Sequence, residues 1–237
     1  MARAAPSRPI DVPESPSPVL CTVDVVLLAL DAGALKVLLL RRDHAPYAGA
    51  WALPGGYIHP EEDADAQAAA FRVLRAKAGV ESPYLEQLAT FSGLARDPRG
   101  WSVAVAYYAL VPGSLLSASE ALPGMRWLPV DALPALPFDH AEIVRTALER
   151  LRGKSLYSSL PVYLCGERFT LPQLQAAYEA VLGEPLNKVS FRRKMEEMAM
   201  LEPVEGALHS GGAHRPAQLY QLKARFRRNL SLLPRGL

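Results

Sequence analysis

The chain has 237 residues, of which 50% are apolar and 21% are charged, and its formal net charge is +2. This length is sufficient for two domains, and the composition excludes a wholly disordered or collagen-like chain. No apolar run in the sequence approaches the roughly 20 residues that a membrane-spanning helix needs. Residues 1–19 are rich in Pro and Ser and lack the apolar core of a signal peptide, which predicts a disordered tail on a cytoplasmic protein.

A series of apolar, β-branched segments predicts the strands of the first domain. "CTVDVVLLAL" and "LKVLLLRR" flank the turn sequence "DAG", which predicts a hairpin over Val23–Leu40. "AWALPGGY" predicts a short strand and a loop, and "YLEQLATFSG" and "WSVAVAYYALV" predict strands on either side of the turn "ARDPRG". "MRWLPVDALPAL" predicts a last strand followed by a proline-rich loop.

Two helices are predicted among these strands. The alanine-rich segment Ala64–Ala78 lacks Gly and Pro and precedes Gly79, which we expect to be its C-cap. The segment "DHAEIVRTALERLRGK" has Asp139 in the position of an N-cap and Gly153 as its expected end. Strands that we expect to be antiparallel, together with two helices, predict an α+β sandwich over residues 20–153.

The two cysteines, Cys21 and Cys165, lie far apart in the sequence. They supply neither a disulfide framework nor a cluster of metal ligands. We expect both to be buried as small apolar residues in a reducing compartment.

The C-terminal part predicts a winged helix-turn-helix over residues 154–223, followed by a basic tail over residues 224–237. An amphipathic helix begins after Thr170, which forms a capping box with Gln173. A short turn leads to a second helix over Lys188–Met200, capped by Asn187. The segment "EPVEGALHSGGAHRPAQLYQL" predicts two strands around a glycine-rich tip. Helix, turn, helix and a two-stranded ribbon follow one another as in winged DNA-binding domains.

The charge distribution favours DNA as the partner of this second domain. Residues 155–237 hold 11 basic and 7 acidic side chains, whereas residues 1–154 hold 15 basic and 17 acidic ones. The second helix has its basic residues in its N-terminal half, where DNA-reading helices meet base edges in the major groove. A solvated charged face and a protein-binding adaptor are the alternatives. The candidate DNA-binding residues are Lys188, Ser190, Arg192, Arg193 and Lys194 on the helix and Arg215 at the ribbon tip.

The segment "GGYIHPEEDADAQAAAFRVLRAKAGV" resembles the signature of the Nudix family. Gly56 and Glu62 match its first part, Arg72 matches its arginine and Leu74 its aliphatic position, with two extra residues between Glu62 and Arg72. In that family, glutamates on one helix hold a divalent metal ion against a nucleoside diphosphate linkage. We expect Arg72 to pair within the helix.

The resemblance also shows which side chains stand at the family's catalytic positions. The family's glutamates fall on Val73, Ala76 and Lys77, and none of these is a carboxylate. A lysine among metal-ligand positions repels Mg²⁺ as well as failing to bind it. The resemblance therefore implies a retained fold, no catalytic residue, no metal site and no hydrolase activity.

From residue 20 to 222 the chain resembles the Nudix-related transcriptional regulators of NAD metabolism, the NrtR type. The resemblance includes "VLLLRRDHAPYAGAWALPGGYI", "FRRKMEEM" and "RPAQLYQL". It implies a Nudix-like α/β/α sandwich joined to a winged helix-turn-helix. It also implies a repressor of NAD biosynthesis or salvage genes that binds a pseudopalindromic operator as a homodimer. ADP-ribose or a related adenine nucleotide, such as ATP or NAD, would be the effector, with no cofactor required. The alternative is an active Nudix pyrophosphohydrolase that holds metal through Glu61, Glu62 and Asp63 or Asp65.

A pocket for a dinucleotide-like anion needs cations and an aromatic surface. Three arginines at predicted strand ends or in the predicted turn suit phosphates. A tryptophan and a tyrosine beside the Pro-Gly-Gly loop suit either stacking on adenine or packing in the core. The glycine pair would permit either a close approach of the backbone to phosphate or a tight turn. A histidine at a helix start could donate a hydrogen bond to the ligand or simply lie beside the helix cap. The candidate ligand residues are Arg42, Trp51, Gly55, Gly56, Tyr57, Arg96, Arg99 and His140.

Overall fold

The computed structural model describes residues 18–82, 84–116, 123–209 and 216–226. Most of the predicted N-terminal tail, most of the predicted basic tail and Arg215 lie outside these ranges. Within the described ranges, no helix combines the length and the apolarity needed to cross a bilayer.

The first domain is built on a seven-stranded mixed sheet. The predicted hairpin is confirmed, because β1 and β2 pair antiparallel around Ala32 and Gly33, whose φ angles are 47° and 82°. Positive φ at both central residues gives the tight turn whose twist matches that of the strands. The strands are β1 Leu20–Asp31, β2 Ala34–Arg41, β3 Trp51–Ala52, β4 Gly55–Tyr57, β5 Tyr84–Gly93, β6 Ser102–Val111 and β7 Met125–Pro129.

The strand order β3-β2-β1-β6-β5 corrects the expectation of an all-antiparallel sheet. Strands β1 and β6 run parallel from the pair Leu20 and Ser102 to the pair Ala29 and Val111. The periodicity of apolar residues determines which faces of a strand are buried. It carries no information on which strand lies beside it or in which direction that strand runs. Off this path, β4 pairs with β1 and β7 pairs with β2.

Helices cover both faces of the sheet and confirm the predicted α/β/α sandwich. Helix α1, Ala66–Val73, continues as a π-helical stretch, Leu74–Ala78, and packs over one face. Helix α2, His140–Ser155, packs over the other. Alternate residues of β1 face alternate layers, with Val25 among the residues under α1 and Val26 among those under α2. The run over residues 25–30 of β1 is apolar because both faces of the strand are buried.

The predicted helix ends were partly wrong. Helix α1 begins two residues later than expected, because the Asp65 carboxylate accepts from the backbone N–H of Ala68 at 2.7 Å and caps it there. Gly79 ends the π-helical stretch with φ 63°, as predicted. Helix α2 continues through Gly153 to Ser155, and the carboxylate of Asp139 bonds to an arginine instead of capping the helix.

The expectation for the cysteines was also wrong in part. Cys21 is exposed at the start of β1, and Cys165 is partly buried. Cys21 lies on a strand, but its position near the strand end leaves its face uncovered.

The second domain has the predicted winged helix-turn-helix order. The capping box of Thr170 and the cap by Asn187 are both confirmed, the latter with its side chain accepting from the backbone N–H groups of Val189 and Ser190. The second helix ends earlier than predicted because Ala199 takes a left-handed conformation with φ 47°. The elements are α3 Leu171–Leu182, α4 Lys188–Met198, β8 Leu201–His209 and β9 Ala217–Leu222.

The two domains share apolar packing. Leu174 and Tyr178 of α3 belong to the core of the winged domain. Val181, one turn further along α3, lies in the cluster beneath α2 together with Ile143 and Leu151. We call this cluster the shared core. The hydroxyl of Tyr178 also donates to the carbonyl of Ser158 in the connecting segment at 2.8 Å.

Candidate functional site

A cavity of about 590 Å³ opens beside the sheet of the first domain. Its walls come from β1 and β4, from the end of α1 with its π-helical stretch, from the turn between β5 and β6, and from the start of α2. Its volume lies within the range of small-molecule sites. The charged residues in the lining are mainly basic: Arg41, Arg42, Arg72, Lys77, Arg96 and Arg99, against Asp24, Asp43 and Asp97.

The helical wall presents the three positions where the Nudix resemblance places glutamates. Val73, Ala76 and Lys77 all line the cavity. The Lys77 ammonium donates to the carbonyl of Gly55 at 2.5 Å. A Cβ on Gly56 would lie 3.3 Å from Val73 Cγ2 and 3.8 Å from Lys77 Nζ. The helix therefore packs directly against the glycine loop.

The glycine loop is equally close to the sheet. A Cβ on Gly55 would lie 2.1 Å from Asp24 Oδ1 and 3.0 Å from the carbonyl oxygen of Val23. No side chain fits at this position without moving the backbone of β1 or the Asp24 carboxylate. Gly55 thus allows the loop to lie close to the protein atoms of β1.

Buried charged groups form the inner end of the cavity. The Arg96 guanidinium donates to both carboxylate oxygens of Asp139, at 2.8 and 2.9 Å, and lies 3.6 Å from Asp24. His140 Nδ1 accepts from the backbone N–H of Leu53 at 3.0 Å, and its Nε2 lies 3.6 Å from Asp24. Burial lowers the pKa of His140 and raises the pKa of Asp24. Both shifts favour the uncharged form of a side chain that is held away from water.

Aromatic and guanidinium groups alternate at the cavity mouth. The Arg99 guanidinium bonds to Asp97 at 2.7 Å and lies 5.4 Å from the ring centre of Tyr57, whose hydroxyl it also contacts. The Arg42 guanidinium lies 5.0 Å from the ring centre of Phe138. Phe138 has a φ of 57°, an uncommon value for a bulky residue that is often found at functional sites. The ring is half-buried, and the guanidinium of Arg99 also lies over it, 6.0 Å from its centre.

The structure brings seven of the eight candidate ligand residues to this cavity. Trp51 lies elsewhere: its ring packs on the α2 side of the sheet and stacks with Arg126 at 5.1 Å. The sequence did not suggest Phe138 or Asp24 as part of the site. A sequence feature that could have indicated Phe138 is its position between Pro137 and Asp139, at the start of a predicted helix. The seven candidate residues that line the cavity are Arg42, Gly55, Gly56, Tyr57, Arg96, Arg99 and His140.

The residues present do not fit the divalent metal ion that a Nudix fold implies. In the part of the chain that the structure describes, no group of three or more His, Cys, Asp or Glu side chains is placed to hold a metal ion. Both oxygens of Asp63 accept from Arg72, and the Asp65 carboxylate caps α1. The Glu62 side chain is 63% exposed and lies 3.8 Å from Arg72. Arg72 thus pairs with the loop, and the expected pairing within its own helix was wrong.

Helix α4 presents a basic outer surface. Lys188, Ser190, Arg192 and Arg193 are exposed and Lys194 is partly exposed. The opposite side is buried through Phe191, Met195 and Met198, whose spacing of four and three residues places them on one face of the helix. Glu197 lies 3.7 Å from Arg193 one turn away, and both side chains are largely exposed. Such a pair is weak in water and leaves the guanidinium available to another partner.

Val189 adds an apolar contact to this surface. It is 76% exposed near the start of α4, beside the candidate basic residues. An exposed apolar side chain at this place suits contact with a thymine methyl group.

Comparison with known families matches both halves of the chain. Residues 21–151 match the NUDIX domain, and residues 161–222 match the NrtR DNA-binding winged helix domain. The fold and the cavity thus define a protein in which a Nudix domain precedes a winged helix-turn-helix. An Acinetobacter baylyi protein described as the ADPR responsive transcriptional repressor NtrR is 41% identical over 209 residues, which cover 87% of this chain and 82% of that protein. The chain belongs to the NrtR family.

Solved structures agree with this assignment. Shewanella oneidensis NrtR complexed with a 27mer DNA has a TM-score of 0.85 and 38% identity, covering 92% of this chain and 99% of that chain. The Nudix domain of the same protein complexed with ADP ribose has a TM-score of 0.51 and 38% identity, covering 59% of this chain and 93% of that chain.

Proposed function

We propose that this chain is a DNA-binding transcriptional repressor whose affinity for its operator is controlled by ADP-ribose or a related adenine nucleotide. The observation that carries the proposal is the presence, in one chain, of a cation-lined cavity and an exposed basic helix α4. The Acinetobacter baylyi relative is described as an ADPR responsive repressor, and the Shewanella oneidensis relative was crystallised with DNA. These relatives support the same pairing of ligand and partner here.

The effector-binding residues in this proposal are those of the cavity mouth and the glycine loop. Arg42 and Arg99 at the cavity mouth are the proposed contacts of the effector, together with the rings of Phe138 and Tyr57 beside them. Arg96 and His140 are held by Asp139 and by the backbone of Leu53, so their part in binding is to shape the inner end. No cofactor is required for this binding.

The remaining parts of the proposal concern assembly and target. Two copies of the winged domain, related by a two-fold axis, would read a pseudopalindromic operator, with Arg192 or Arg193 as the bidentate reader of a guanine. The predicted contact of Arg215 at the ribbon tip belongs to the same proposal. The regulated genes would be those of NAD biosynthesis or salvage, in the cytoplasm.

Selection from random duplex DNA at near-physiological salt tests the proposal, with parallel selections in ADP-ribose, NAD and ATP. We expect enrichment of a two-fold-symmetric site and a change in its occupancy with one nucleotide. Absence of enrichment in every condition would reject the proposal. Phosphate contacts make DNA affinity strongly salt-dependent. If the affinity for DNA does not decrease when the salt concentration is raised from low to moderate, the result would instead support a protein-binding adaptor.

The alternative of an active pyrophosphohydrolase is opposed by the carboxylates that it would use. Asp63 is bonded to Arg72 and Asp65 caps a helix, which leaves Glu61 and Glu62 on a loop. We therefore propose that the protein is not a hydrolase. Mg²⁺-dependent release of AMP from ADP-ribose would overturn this part of the proposal and leave the DNA-binding part intact.

A further inference from the structure

Lys77 stands where the Nudix signature has a metal-binding glutamate, and its exposed side chain lines the cavity. The Nζ atom is 2.5 Å from the carbonyl oxygen of Gly55 and 3.8 Å from the position that a Cβ on Gly56 would take. The ammonium group is thus placed over the glycine loop by the π-helical stretch Leu74–Ala78. Stretches of this kind in helices often occur at functional sites.

Within the described ranges, two of the cations in the lining donate hydrogen bonds to backbone carbonyls alone. Arg42 donates from Nε to the carbonyl of Pro46 at 2.8 Å, and Lys77 donates to Gly55. By contrast, Arg96 and Arg99 are paired with the carboxylates of Asp139 and Asp97. The positive charges of Arg42 and Lys77 therefore remain available to an anion within the cavity.

The electrostatic surroundings of Lys77 favour an anion beside it. Partial burial lowers the pKa of Lys77, and the positive charge of Arg42 lowers it further, whereas the charges of Asp43 and Asp24 oppose this shift. Two cations that repel each other in a partly desolvated cavity are stabilised when an anion binds between them. A lysine binds phosphate as a compact point charge and needs no fixed fork geometry.

We propose that Lys77, together with Arg42, binds the diphosphate of the effector in the place that a divalent cation takes in metal-dependent Nudix sites. Effector binding is then independent of Mg²⁺. This inference rests on the proposed function, because it specifies how the cavity takes up its nucleotide. It also accounts for the replacement of three acidic positions at once, since carboxylates beside Lys77 would neutralise the charge that binds the phosphates.

The test is the affinity of the full chain for ADP-ribose, measured by titration calorimetry in EDTA and again in excess Mg²⁺. We expect the wild-type dissociation constant to be the same in both buffers. Lys77→Met should weaken binding about 10- to 100-fold in both, the range for loss of one charge-assisted hydrogen bond. Arg75→Met is the matched control, because Arg75 lies on the same π-helical stretch, faces away from the cavity and contacts Glu81 at 3.6 Å. It should bind ADP-ribose like the wild type.

The possible failures are distinguishable. Wild-type binding that needs Mg²⁺, or Lys77→Met binding equal to wild type, would overturn the role of Lys77 and leave the proposed effector in place. Absence of wild-type binding in both buffers would reject ADP-ribose as the effector and this inference with it. If Lys77→Met proves unstable by thermal melting, Lys77→Arg replaces it. That variant keeps the charge and should bind ADP-ribose in EDTA, and loss of Mg²⁺ independence in it would contradict the proposal.

Discussion

The guanidinium group of Arg72 donates to both carboxylate oxygens of Asp63, at 2.8 Å to Oδ1 and 2.6 Å to Oδ2. Its Nη2 atom also donates to the carbonyl of Tyr57 at 2.9 Å. One arginine of the altered Nudix segment therefore joins α1 to the preceding loop and to β4. The segment therefore has a structural role, because it holds the glycine loop against the helix. This role is separate from the catalysis of the Nudix signature that the segment resembles.

Asp63→Asn should lower the melting temperature in a pH-dependent way. Hydrogen bonds from Arg72 are the main cause that lowers the pKa of Asp63 from 3.8 to about 2. Because the pKa of Asp63 is lower in the folded state, the contact between Asp63 and Arg72 stabilises the fold fully well above pH 3.8. This stabilisation is lost as the pH falls towards about 2. The difference in melting temperature between wild type and variant should be largest near neutral pH and should shrink across that interval. Thermal melts at several pH values measure it.

The control for this experiment is Glu61→Gln, which removes a carboxylate from the same loop. Glu61 is exposed, and its loss should leave the melting temperature close to that of the wild type. Equal effects of the two variants would show that the Arg72 contact does not stabilise the fold.

Gly55→Ala should destabilise the protein, whereas Gly153→Ala should stabilise it. The added methyl group at Gly55 meets Asp24 Oδ1 at 2.1 Å and the backbone oxygen of Val23 at 3.0 Å, and overpacking of this kind costs about 1–3 kcal/mol. At Gly153, inside α2, the methyl group meets no atom within 4 Å, and a helical Gly-to-Ala change contributes about 0.5–1 kcal/mol. Denaturant unfolding measures both changes. A neutral Gly55→Ala would mean that the loop can move away from β1.

The comparison of Trp51 with Tyr57 shows where sequence-based prediction ended. Both residues flank the Pro-Gly-Gly loop and were equal candidates for stacking, but only Tyr57 lines the cavity. Strand β3, which holds Trp51, pairs with β2, whereas β4, which holds Tyr57, pairs with β1. The face that each ring occupies follows from these long-range pairings. Local sequence does not record them.

Residues with a local determinant were predicted better. Asn187 and Thr170 cap helices because their side chains reach backbone N–H groups two or three residues ahead. The stripe of Phe191, Met195 and Met198 follows from helical periodicity alone. The pairing of Arg72 with Asp63 depends on the path of a loop, and for that reason the expected pairing within the helix was wrong.

Arg192→Ala and Arg193→Ala should each be tested on the selected operator and on single-base variants of it. We expect at least one of them to cost about 1–3 kcal/mol and to relax the preference at one base pair, as loss of a bidentate guanine contact does. Arg145→Ala on α2 is the matched control, because Arg145 is exposed and pairs only with Glu142 and Glu149 of its own helix among the described residues. Unchanged operator affinity in both α4 variants would contradict the assignment of this helix to base reading.

Tyr178→Phe should lower stability by about 0.5–1.5 kcal/mol, because it removes the hydrogen bond to the buried carbonyl of Ser158. Tyr220→Phe, in the same domain, removes a hydroxyl for which the described residues supply no hydrogen bond. Chemical denaturation of both variants isolates the contribution of the Ser158 contact. Equal stabilities of the two variants would show that water replaces that contact without loss.

Val181 in the shared core has a consequence for how the protein unfolds. A side chain of the winged domain fills space beneath α2, so that loss of either domain exposes apolar surface of the other. The two domains should therefore melt in one calorimetric transition, with equal calorimetric and van't Hoff enthalpies. Any nucleotide that binds the cavity would then raise the melting temperature of the DNA-binding half to the same extent as that of its own domain.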